Sequence, residues 1–529
     1  MKKLRIGVID LVSQGPTRSL WARVMNANLA SIMPQVVAVW CKRQGHDVSF
    51  LCYTGFENLA RELPRDLDLV FIGAFTESAQ IAYALSNQFH SEGVVTALGG
   101  PHARCFPQDA RKYFDYVLGF TDEAVIQDVV QDCSRHTPMG LHLSAPGQPA
   151  QLPGVRERWE FIKPTVRKAP LIQIVPMLAS IGCPYSCCFC IDATVPYQLL
   201  DTDVLKDDLR FLLTKFKRPI VGWHDPNFGV RFDEIMGTIE EAIPPDSIDF
   251  IAESSLSLLS EPRLQRLQRN GFKALLPGIE SWFDLGEKTR ASSLEGIEKV
   301  KHVAEHVNLV LRYIPYVQAN FVLGLDGDAG PDPFELTRRF VDLAPGAFTA
   351  YCLLTAFGEA APINLQYQRE NRVLGFPFHF LNNNGAMNVR PKNYSWPEFY
   401  QHVVDTTRYS FSPRAIARRF GATRSLAPRW MNLVRAVSEG GYGRIRYHGE
   451  IHHRLLRDPE FRGFYEQTTD VLPPFFEDRV RKALGHMWHW LPPGAMRHDS
   501  NAYLKAQAPA DRVTVNTTRV VAQSNVLLS

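Results

Sequence analysis

The chain has 529 residues, of which 45% are hydrophobic and 21% are charged, and its formal net charge is +3. This composition is typical of a soluble globular protein, and the length suggests two or three domains rather than one core. No apolar stretch approaches the roughly 20 residues of a membrane-spanning helix, and the first residues read into a strand rather than a secretory signal, so we predict a cytoplasmic protein.

Residues 1–134 are predicted to form a doubly wound, flavodoxin-like parallel sheet. Short apolar segments alternate there with helical patterns such as Met33–Arg43 and Ala79–Phe89, and this alternation is typical of doubly wound sheets. Such sheets bind ligands at the carboxyl ends of their strands. The predicted strands are Leu4–Ile9, Asp47–Cys52, Leu67–Ile72, Val94–Leu98 and Tyr116–Leu118.

A second alternation of strands and helices is predicted for residues 166–363. The intervening residues 135–165 are rich in Pro, Gly and Gln with weak periodicity, so we predict a linker there. Six βα units would make a partial parallel (β/α)6 barrel, again with its chemistry at the strand carboxyl ends. The predicted strands are Leu171–Leu178, Ile220–Trp223, Asp249–Ala252, Ala274–Pro277, Val317–Leu323 and Thr349–Leu354.

Residues 364–505 are predicted to form a mainly helical C-terminal extension, with helical patterns such as Trp396–Thr407 and Pro428–Val437. Residues 506–529 are polar, lack strong periodicity, and are predicted to be disordered.

The C-terminal extension contains a basic segment. Between Arg408 and Arg457 there are eleven arginines against only Glu439 and Glu450. Either these arginines form a positive patch for an anionic substrate or phosphate groups, or they are a solvated basic face. Nucleic acid is a weaker option, because no binding motif is recognisable. The individual arginines considered for the patch are Arg414, Arg418, Arg419, Arg424 and Arg429.

Four of the nine cysteines lie within eight residues, directly after the first predicted barrel strand. Cys183, Cys187 and Cys190 have CxxxCxxC spacing, and soft thiolates suit iron–sulfur clusters or zinc. An iron–sulfur cubane ordinarily takes four cysteines, so three leave one iron open to bind and reduce a substrate molecule. The alternative is structural zinc with Cys188 as fourth ligand, but such sites usually draw ligand pairs from two separated segments, and no second CxxC follows.

The cysteine motif, its place after the first strand of a βα barrel, and the motifs that follow resemble the radical S-adenosylmethionine (SAM) superfamily. The order of domains resembles the subgroup with an N-terminal cobalamin-binding domain, and the resemblance covers residues 1–360. It implies a [4Fe–4S] cluster on Cys183, Cys187 and Cys190 that cleaves SAM reductively. It also implies that the protein supplies orientation and excludes water, and we identify no acid–base catalytic residues.

The resemblance further implies contacts with SAM near the first strands of the barrel. Phe189, just before the last cysteine, looks like the residue that lies by the adenine. Asp225, at the end of the second strand, would accept a hydrogen bond from the SAM amino group, and Glu253, at the end of the third, would contact the ribose or carboxylate. The alternative is that the two acidic residues cap the next helices.

Two later strands carry further matches. Gly278, Glu280 and Ser281 belong to a close match to the subgroup's Gly-Ile-Glu-Ser motif, and they are expected to contact SAM. Gly324 lies on a strand similar to the adenine-side strand of the family. The alternative for the two glycines is an ordinary turn.

The N-terminal segment Gly99-Gly100-Pro101-His102 looks like part of the cobalamin-type domain, because two glycines let the backbone approach a bulky ligand. However, the Asp-x-His-x-x-Gly sequence that supplies an axial histidine in many cobalamin proteins is absent. Either cobalamin binds without a histidine ligand, with Thr76 or Glu77 near the cobalt, or the domain is a relic that shapes substrate access.

We therefore predict a cobalamin-dependent radical SAM methyltransferase that acts on an unactivated carbon of a small molecule. A reductant such as flavodoxin or ferredoxin would supply electrons. The alternatives are a cobalamin-independent radical SAM oxidase or rearrangement enzyme and, from another class, an iron–sulfur electron carrier or redox sensor. Phe189, Asp225 and the Gly-Ile-Glu-Ser match favour SAM binding over simple electron transfer.

Overall fold

The computed structural model describes residues 2–16, 30–169, 172–283, 289, 291 and 293–502. Its N-terminal sheet has six parallel strands in the order β2-β1-β3-β4-β5-β6, which is the doubly wound arrangement predicted. The order reverses between β1 and β3, and this reversal makes a crevice at the carboxyl ends of the strands. The strands are β1 (Arg5–Leu11), β2 (Asp47–Tyr53), β3 (Leu69–Ala74), β4 (Val95–Gly99), β5 (Tyr116–Leu118) and β6 (Leu141–Leu143).

Residues 135–165, where we predicted a linker, contain β6 and most of a 14-residue helix, Val155–Lys168. β6 pairs in parallel with β5 at the sheet edge, and its three residues, two half-buried and one exposed, are too few to show a period. The helix buries Val155, Phe161 and Val166, but Pro164 and many charged residues interrupt its apolar pattern.

The second sheet also has six parallel strands, in the order β14-β13-β12-β11-β10-β7, and confirms the predicted partial barrel. Leu171, where the first of these strands was predicted to begin, lies outside the described residues. The strands are β7 (Ile174–Met177), β10 (Ile220–Trp223), β11 (Asp249–Ser255), β12 (Phe272–Glu280), β13 (Tyr316–Leu323) and β14 (Phe348–Leu353), and a separate antiparallel pair comprises β8 (Ser180–Ile181) and β9 (Gln198–Leu199).

Helices flank both sheets, and their buried faces make the two hydrophobic cores. In the first two regions they are α1 (Ile32–Arg43), α2 (Leu59–Glu62), α3 (Ala79–Ser91), α4 (Pro101–Cys105), α5 (Pro107–Ala110), α6 (Glu123–Asp132), α7 (Val155–Lys168), α8 (Thr202–Lys215), α9 (Phe232–Ala242), α10 (Glu261–Arg269), α11 (Gly296–Tyr313) and α12 (Asp332–Leu343).

The C-terminal region is mainly helical, as predicted, and it packs against the N-terminal sheet. In α3, the amide of Gln80 donates to the Met496 carbonyl at 3.0 Å, and that of Asn87 donates to the Trp490 carbonyl at 2.9 Å. The helices are α13 (Ile363–Arg369), α14 (Trp396–Ser410), α15 (Pro413–Ala422), α16 (Leu426–Val437), α17 (Arg444–Arg457), α18 (Pro459–Tyr465) and α19 (Pro474–Leu484).

None of the helices in the described ranges is long and apolar enough to cross a membrane. The predicted disordered tail, residues 506–529, lies outside the described residues. The predicted domain boundaries at residues 134, 165 and 363 remain predictions.

Candidate active site

A cavity of about 460 Å³ lies where the carboxyl ends of the two sheets face each other. The N-terminal sheet contributes residues that follow β3 and β4, and the second sheet contributes the ends of β12, β13 and β14. The cysteine loop lies between them and contributes Phe189 and Cys190. The fold therefore brings the predicted cluster loop and both predicted cofactor-binding sheets to one space.

The cysteine loop is closely held by its own backbone. Gly182 has a φ of +68°, and a Cβ there would lie 2.2 Å from the Pro196 carbonyl oxygen, so only glycine fits. The Cys183 amide donates to the Val195 carbonyl at 3.2 Å, and the Asp192 amide donates to the Cys190 sulfur at 3.4 Å. An amide that donates to sulfur stabilises a thiolate, because hydrogen bonds to the charged form favour it.

The three motif cysteines differ from Cys188 in their surroundings. Cys187 is buried, Cys183 and Cys190 are half-buried, and Cys188 is exposed. In the described part of the chain, no three His, Cys, Asp or Glu side chains converge closely enough for one metal ion. That Cys183, Cys187 and Cys190 hold a [4Fe–4S] cluster, each thiolate on a different iron, remains a prediction.

Arg104 joins the cysteine loop to the N-terminal sheet. Its guanidinium donates to the Ile191 carbonyl at 2.9 Å and to Asp192 Oδ1 at 3.3 Å, and it stacks on the Phe120 ring at 4.7 Å from the centroid. The Arg104 side chain is 15% exposed, so water screens the contact only in part. Arg104 was not predicted from the sequence, and its one signal is its position shortly after the Gly99-Gly100-Pro101 turn.

Asp225 is 1% exposed and lies behind the cysteine loop. Its carboxylate accepts hydrogen bonds from the Ala179 amide at 3.1 Å and from the Ser180 hydroxyl at 2.5 Å. Burial raises the pKa of this carboxyl to about 6. Because Ala179 and Ser180 lead directly into the cysteine loop, Asp225 fixes where that loop starts, and its predicted bond to the SAM amino group remains a prediction.

The Gly-Ile-Glu-Ser segment ends β12 with an unusual backbone. Glu280 has a φ of +65°, and the pairing with β13 shifts register between Gly278 and Glu280. Non-glycine residues in this conformation cost about 1–3 kcal/mol and cluster at functional sites. A Cβ at Gly278 would lie 2.3 Å from Glu280 Oε1, so the glycine makes room for a carboxylate that lines the large cavity.

Ser281 and Gly324 are joined by a shared carboxylate. Asp328 accepts hydrogen bonds from the Ser281 hydroxyl at 3.5 Å and from the Gly324 amide at 3.0 Å. Gly324 has a φ of +89°, and a Cβ there would lie 2.9 Å from Met387, so this glycine serves both a turn and close packing of the C-terminal region. The Glu253 side chain, at the end of β11, is exposed. Contacts of these three residues with SAM remain predictions.

A second cavity of about 270 Å³ lies at the carboxyl edge of the N-terminal sheet and shares Phe75 and Pro101 with the larger one. Gly99 and Gly100 line it. Gly100 has a φ of +90°, and a Cβ there would lie 3.0 Å from the Ala74 carbonyl oxygen. A Cβ at Gly99 would meet nothing within 4 Å, so the glycine pair leaves a cradle for a ligand.

His102 was predicted either to contact the cofactor or to be an ordinary turn residue, and the structure buries its side chain. The helix that begins at Pro101 turns this side chain into the core, where it is 0% exposed. Its Nε2 lies 2.6 Å from the Tyr83 hydroxyl, and its ring packs on Phe378 with 4.7 Å between centroids. Burial lowers the pKa of His102 to about 3, so the side chain is neutral at physiological pH.

Two of the five arginines considered for a basic patch are already bound by other residues of the protein. Arg419 is 2% exposed and donates to the Ala347 and Ser410 carbonyls, and Arg418 pairs with Asp342 at 2.7 Å. The Arg419 Nε and Nη2 donors are therefore already bonded within the protein. Buried polar groups are normally satisfied in this way, so Arg419 has a packing role.

Comparisons with known proteins were made for the sequence and for the fold. No family model matches the chain. The bacteriochlorophyllide d C-12(1)-methyltransferase of Chlorobaculum tepidum is 22% identical over 403 residues, which are 74% of this chain and 79% of that protein. The C-8(2)-methyltransferase of the same organism is 22% identical over 265 residues, 48% of this chain and 56% of that protein.

Solved structures show the same fold. The methyltransferase TsrM of Kitasatospora setae, with cobalamin and a [4Fe–4S] cluster bound, has a TM-score of 0.51 at 12% identity and covers 88% of this chain and 100% of its own. The cobalamin-dependent radical SAM enzyme OxsB, with aqua-cobalamin bound, has a TM-score of 0.53 at 11% identity and covers 93% of this chain and 80% of its own. These likenesses confirm the predicted fold.

Proposed function

We propose that this chain, a radical SAM protein of the subgroup with an N-terminal cobalamin-binding-like domain, is a cobalamin-dependent C-methyltransferase. The observation that carries the proposal is the large cavity, in which the cysteine loop lies between the carboxyl ends of two parallel sheets. The two curated relatives are named as methyltransferases, and this supports methyl transfer over oxidation or rearrangement.

The donor set fits the cofactors that the proposal requires. Cys183, Cys187 and Cys190 would hold the [4Fe–4S] cluster, and the Gly99-Gly100 cradle would hold part of cobalamin. When bound, these groups supply the electron that breaks a C–S bond of SAM and a carrier for its methyl group. SAM itself would lie near Phe189 and Glu280, which line the same cavity as Cys190.

The protein's own residues position these groups and enclose them. Asp225 and Arg104 hold the two ends of the cysteine loop, through Ser180 on one side and Asp192 on the other. Glu77 lines the cavity from the N-terminal sheet and accepts a hydrogen bond from Gln14 at 3.1 Å. Burial raises the pKa of the Glu77 carboxyl.

The substrate would enter from the C-terminal region. A cavity of about 330 Å³ shares Asn382 and Asn384 with the large one and is lined by Glu439 and Arg444. Arg444 donates to the Tyr351 carbonyl and to the Asn384 amide oxygen. Both of these acceptors are neutral, and a guanidinium is suited to bind an anionic group, so we propose a small-molecule substrate with such a group. Flavodoxin or ferredoxin remains the proposed reductant.

The fate of SAM tests the proposal. Anaerobic protein loaded with cluster and cobalamin, incubated with SAM and dithionite, is expected to give both 5′-deoxyadenosine and S-adenosylhomocysteine by mass spectrometry. Glu280→Gln is expected to raise the KM for SAM by roughly 5- to 150-fold, since a buried or charge-assisted hydrogen bond contributes about 1–3 kcal/mol. The matched control is Glu298→Gln on the outer helix α11, where Glu298 pairs with Lys301 and is 65% exposed.

Each pattern of products distinguishes the proposed function from one alternative. An intact cluster that gives neither product would indicate an electron carrier or redox sensor. 5′-Deoxyadenosine without S-adenosylhomocysteine would indicate a cobalamin-independent radical enzyme, and S-adenosylhomocysteine alone would contradict the radical step.

A further inference from the structure

Helix α16 has an apolar outer face, which is the reverse of an ordinary surface helix. Leu426, Trp430, Val434 and Val437 are 70%, 58%, 38% and 50% exposed. Their spacing of four, four and three residues places them on one stripe of the helix. We call these four residues the outer stripe.

The inner face of α16 is polar and is fixed by the protein. Asn432 is buried and donates to the Thr423 hydroxyl at 3.3 Å. Arg435 donates to Gln318 Oε1 at 2.5 Å and stacks on the Phe348 ring at 4.2 Å from the centroid. Because these contacts set the rotation of the helix, the outer stripe is held outward.

Two exposed arginines lie next to α16 in the chain or on the helix that packs against it. Arg424 is exposed two residues before α16 begins, and Arg414 is exposed on α15, which packs against α16. The Phe420 ring of α15 contacts Trp430 with 5.9 Å between centroids. Tryptophan and apolar residues bordered by arginine are the composition of helices that lie in the interface of an anionic membrane.

We propose that α16 docks on an anionic lipid bilayer, with the outer stripe below the headgroups and Arg414 and Arg424 at the lipid phosphates. At 1.5 Å per residue its 12 residues are about 18 Å long, shorter than the roughly 30 Å hydrocarbon core. The helix would therefore lie on the membrane rather than cross it.

The charge near the outer stripe favours an anionic membrane over two other occupants, a second copy of the chain and its own residues 503–529. A symmetric dimer through the outer stripe would bring the arginines of two copies near each other, since the same patch faces itself. Residues 503–529 contain Lys505, Arg512 and Arg519 against Asp511 alone, so they do not complement a basic border. Anionic lipid complements both the apolar stripe and its charged border.

Vesicle sedimentation with the full-length protein tests the proposal. The wild type is expected to sediment with vesicles of equal parts phosphatidylglycerol and phosphatidylcholine, and at least tenfold less with phosphatidylcholine alone. The double variant Leu426→Ser/Trp430→Ser is expected to lose binding at least tenfold, because it removes the apolar anchor. Arg414→Gln/Arg424→Gln is expected to remove the preference for phosphatidylglycerol, as is raised salt.

Two control variants make the same kinds of substitution at other exposed positions. Val471→Ser removes another side chain that is 72% exposed, and Arg61→Gln/Arg65→Gln removes two exposed arginines of the N-terminal region. Both should bind vesicles as the wild type does. Circular dichroism and iron content establish that each variant is folded.

Several results would overturn the proposal. One is that the wild type fails to sediment with phosphatidylglycerol vesicles. Another is that the Leu426→Ser/Trp430→Ser variant sediments as much as the wild type. A dimer in light scattering that this variant abolishes would assign the outer stripe to a second copy. Vesicle binding that arises only after deletion of residues 503–529 would assign the stripe to that segment.

Discussion

Alanine at any one of Cys183, Cys187 and Cys190 is expected to abolish the iron–sulfur cluster and SAM cleavage together, whereas Cys188→Ala should keep both. Each of the three thiolates would hold one iron, and loss of one leaves a second iron without a protein ligand. Cys188 is the exposed member of the group, and its main-chain carbonyl accepts a hydrogen bond from the Ile363 amide at 3.0 Å, a contact that alanine preserves.

Iron analysis and absorption check this result. Anaerobically reconstituted wild type and Cys188→Ala should carry about four irons per chain and a broad charge-transfer absorption. The three other variants should carry neither. Loss of the cluster in Cys188→Ala, with the other three cysteines dispensable, would contradict the ligand assignment.

Gly99→Leu is expected to remove cobalamin binding without loss of the cluster. A Cβ at Gly99 would meet nothing within 4 Å, so a leucine would extend into the second cavity and fill space that the ligand needs. Reconstitution with hydroxocobalamin, followed by desalting, should leave near-stoichiometric corrinoid on the wild type. Retention by Gly99→Leu should fall below about a tenth, because a fully buried leucine cannot share its volume with a ligand.

A matched glycine provides the control. A Cβ at Gly237 of α9 also meets nothing within 4 Å, but Gly237 lies away from the N-terminal sheet, so Gly237→Leu should retain corrinoid as the wild type does. Because His102 is buried against Tyr83 and Phe378, the bound cofactor should show a base-off spectrum. Complete loss of corrinoid by the wild type, or a spectrum of histidine ligation, would contradict this part of the account.

Much of the fold was predictable because buried parallel strands are continuous apolar runs. Eleven of the twelve strands of the two sheets follow such runs, with ends that differ by a few residues. β6 was missed because three partly or fully exposed residues at a sheet edge carry no periodic signal. The positions of Phe189 and Cys190 beside the large cavity agree with their place after the first barrel strand, and the cluster role of Cys183, Cys187 and Cys190 remains a prediction.

Contacts between distant segments were not predictable from the sequence. The bond of Asp225 to Ser180 and that of Arg104 to Asp192 join residues 45 and 88 positions apart, and no local pattern encodes them. The burial of His102 was not predictable, because a turn sequence does not determine which side of the following helix faces the core. The inverted polarity of α16 follows from its contacts with Gln318 and Thr423, which only the tertiary structure shows.

The central claim is that this chain holds a three-cysteine cluster whose remaining iron binds SAM. Electron paramagnetic resonance of the dithionite-reduced protein, before and after addition of SAM, tests it most directly. Saturating SAM is expected to change the g values of the cluster signal in the wild type and in Cys188→Ala. A cluster signal that stays the same at saturating SAM would contradict it.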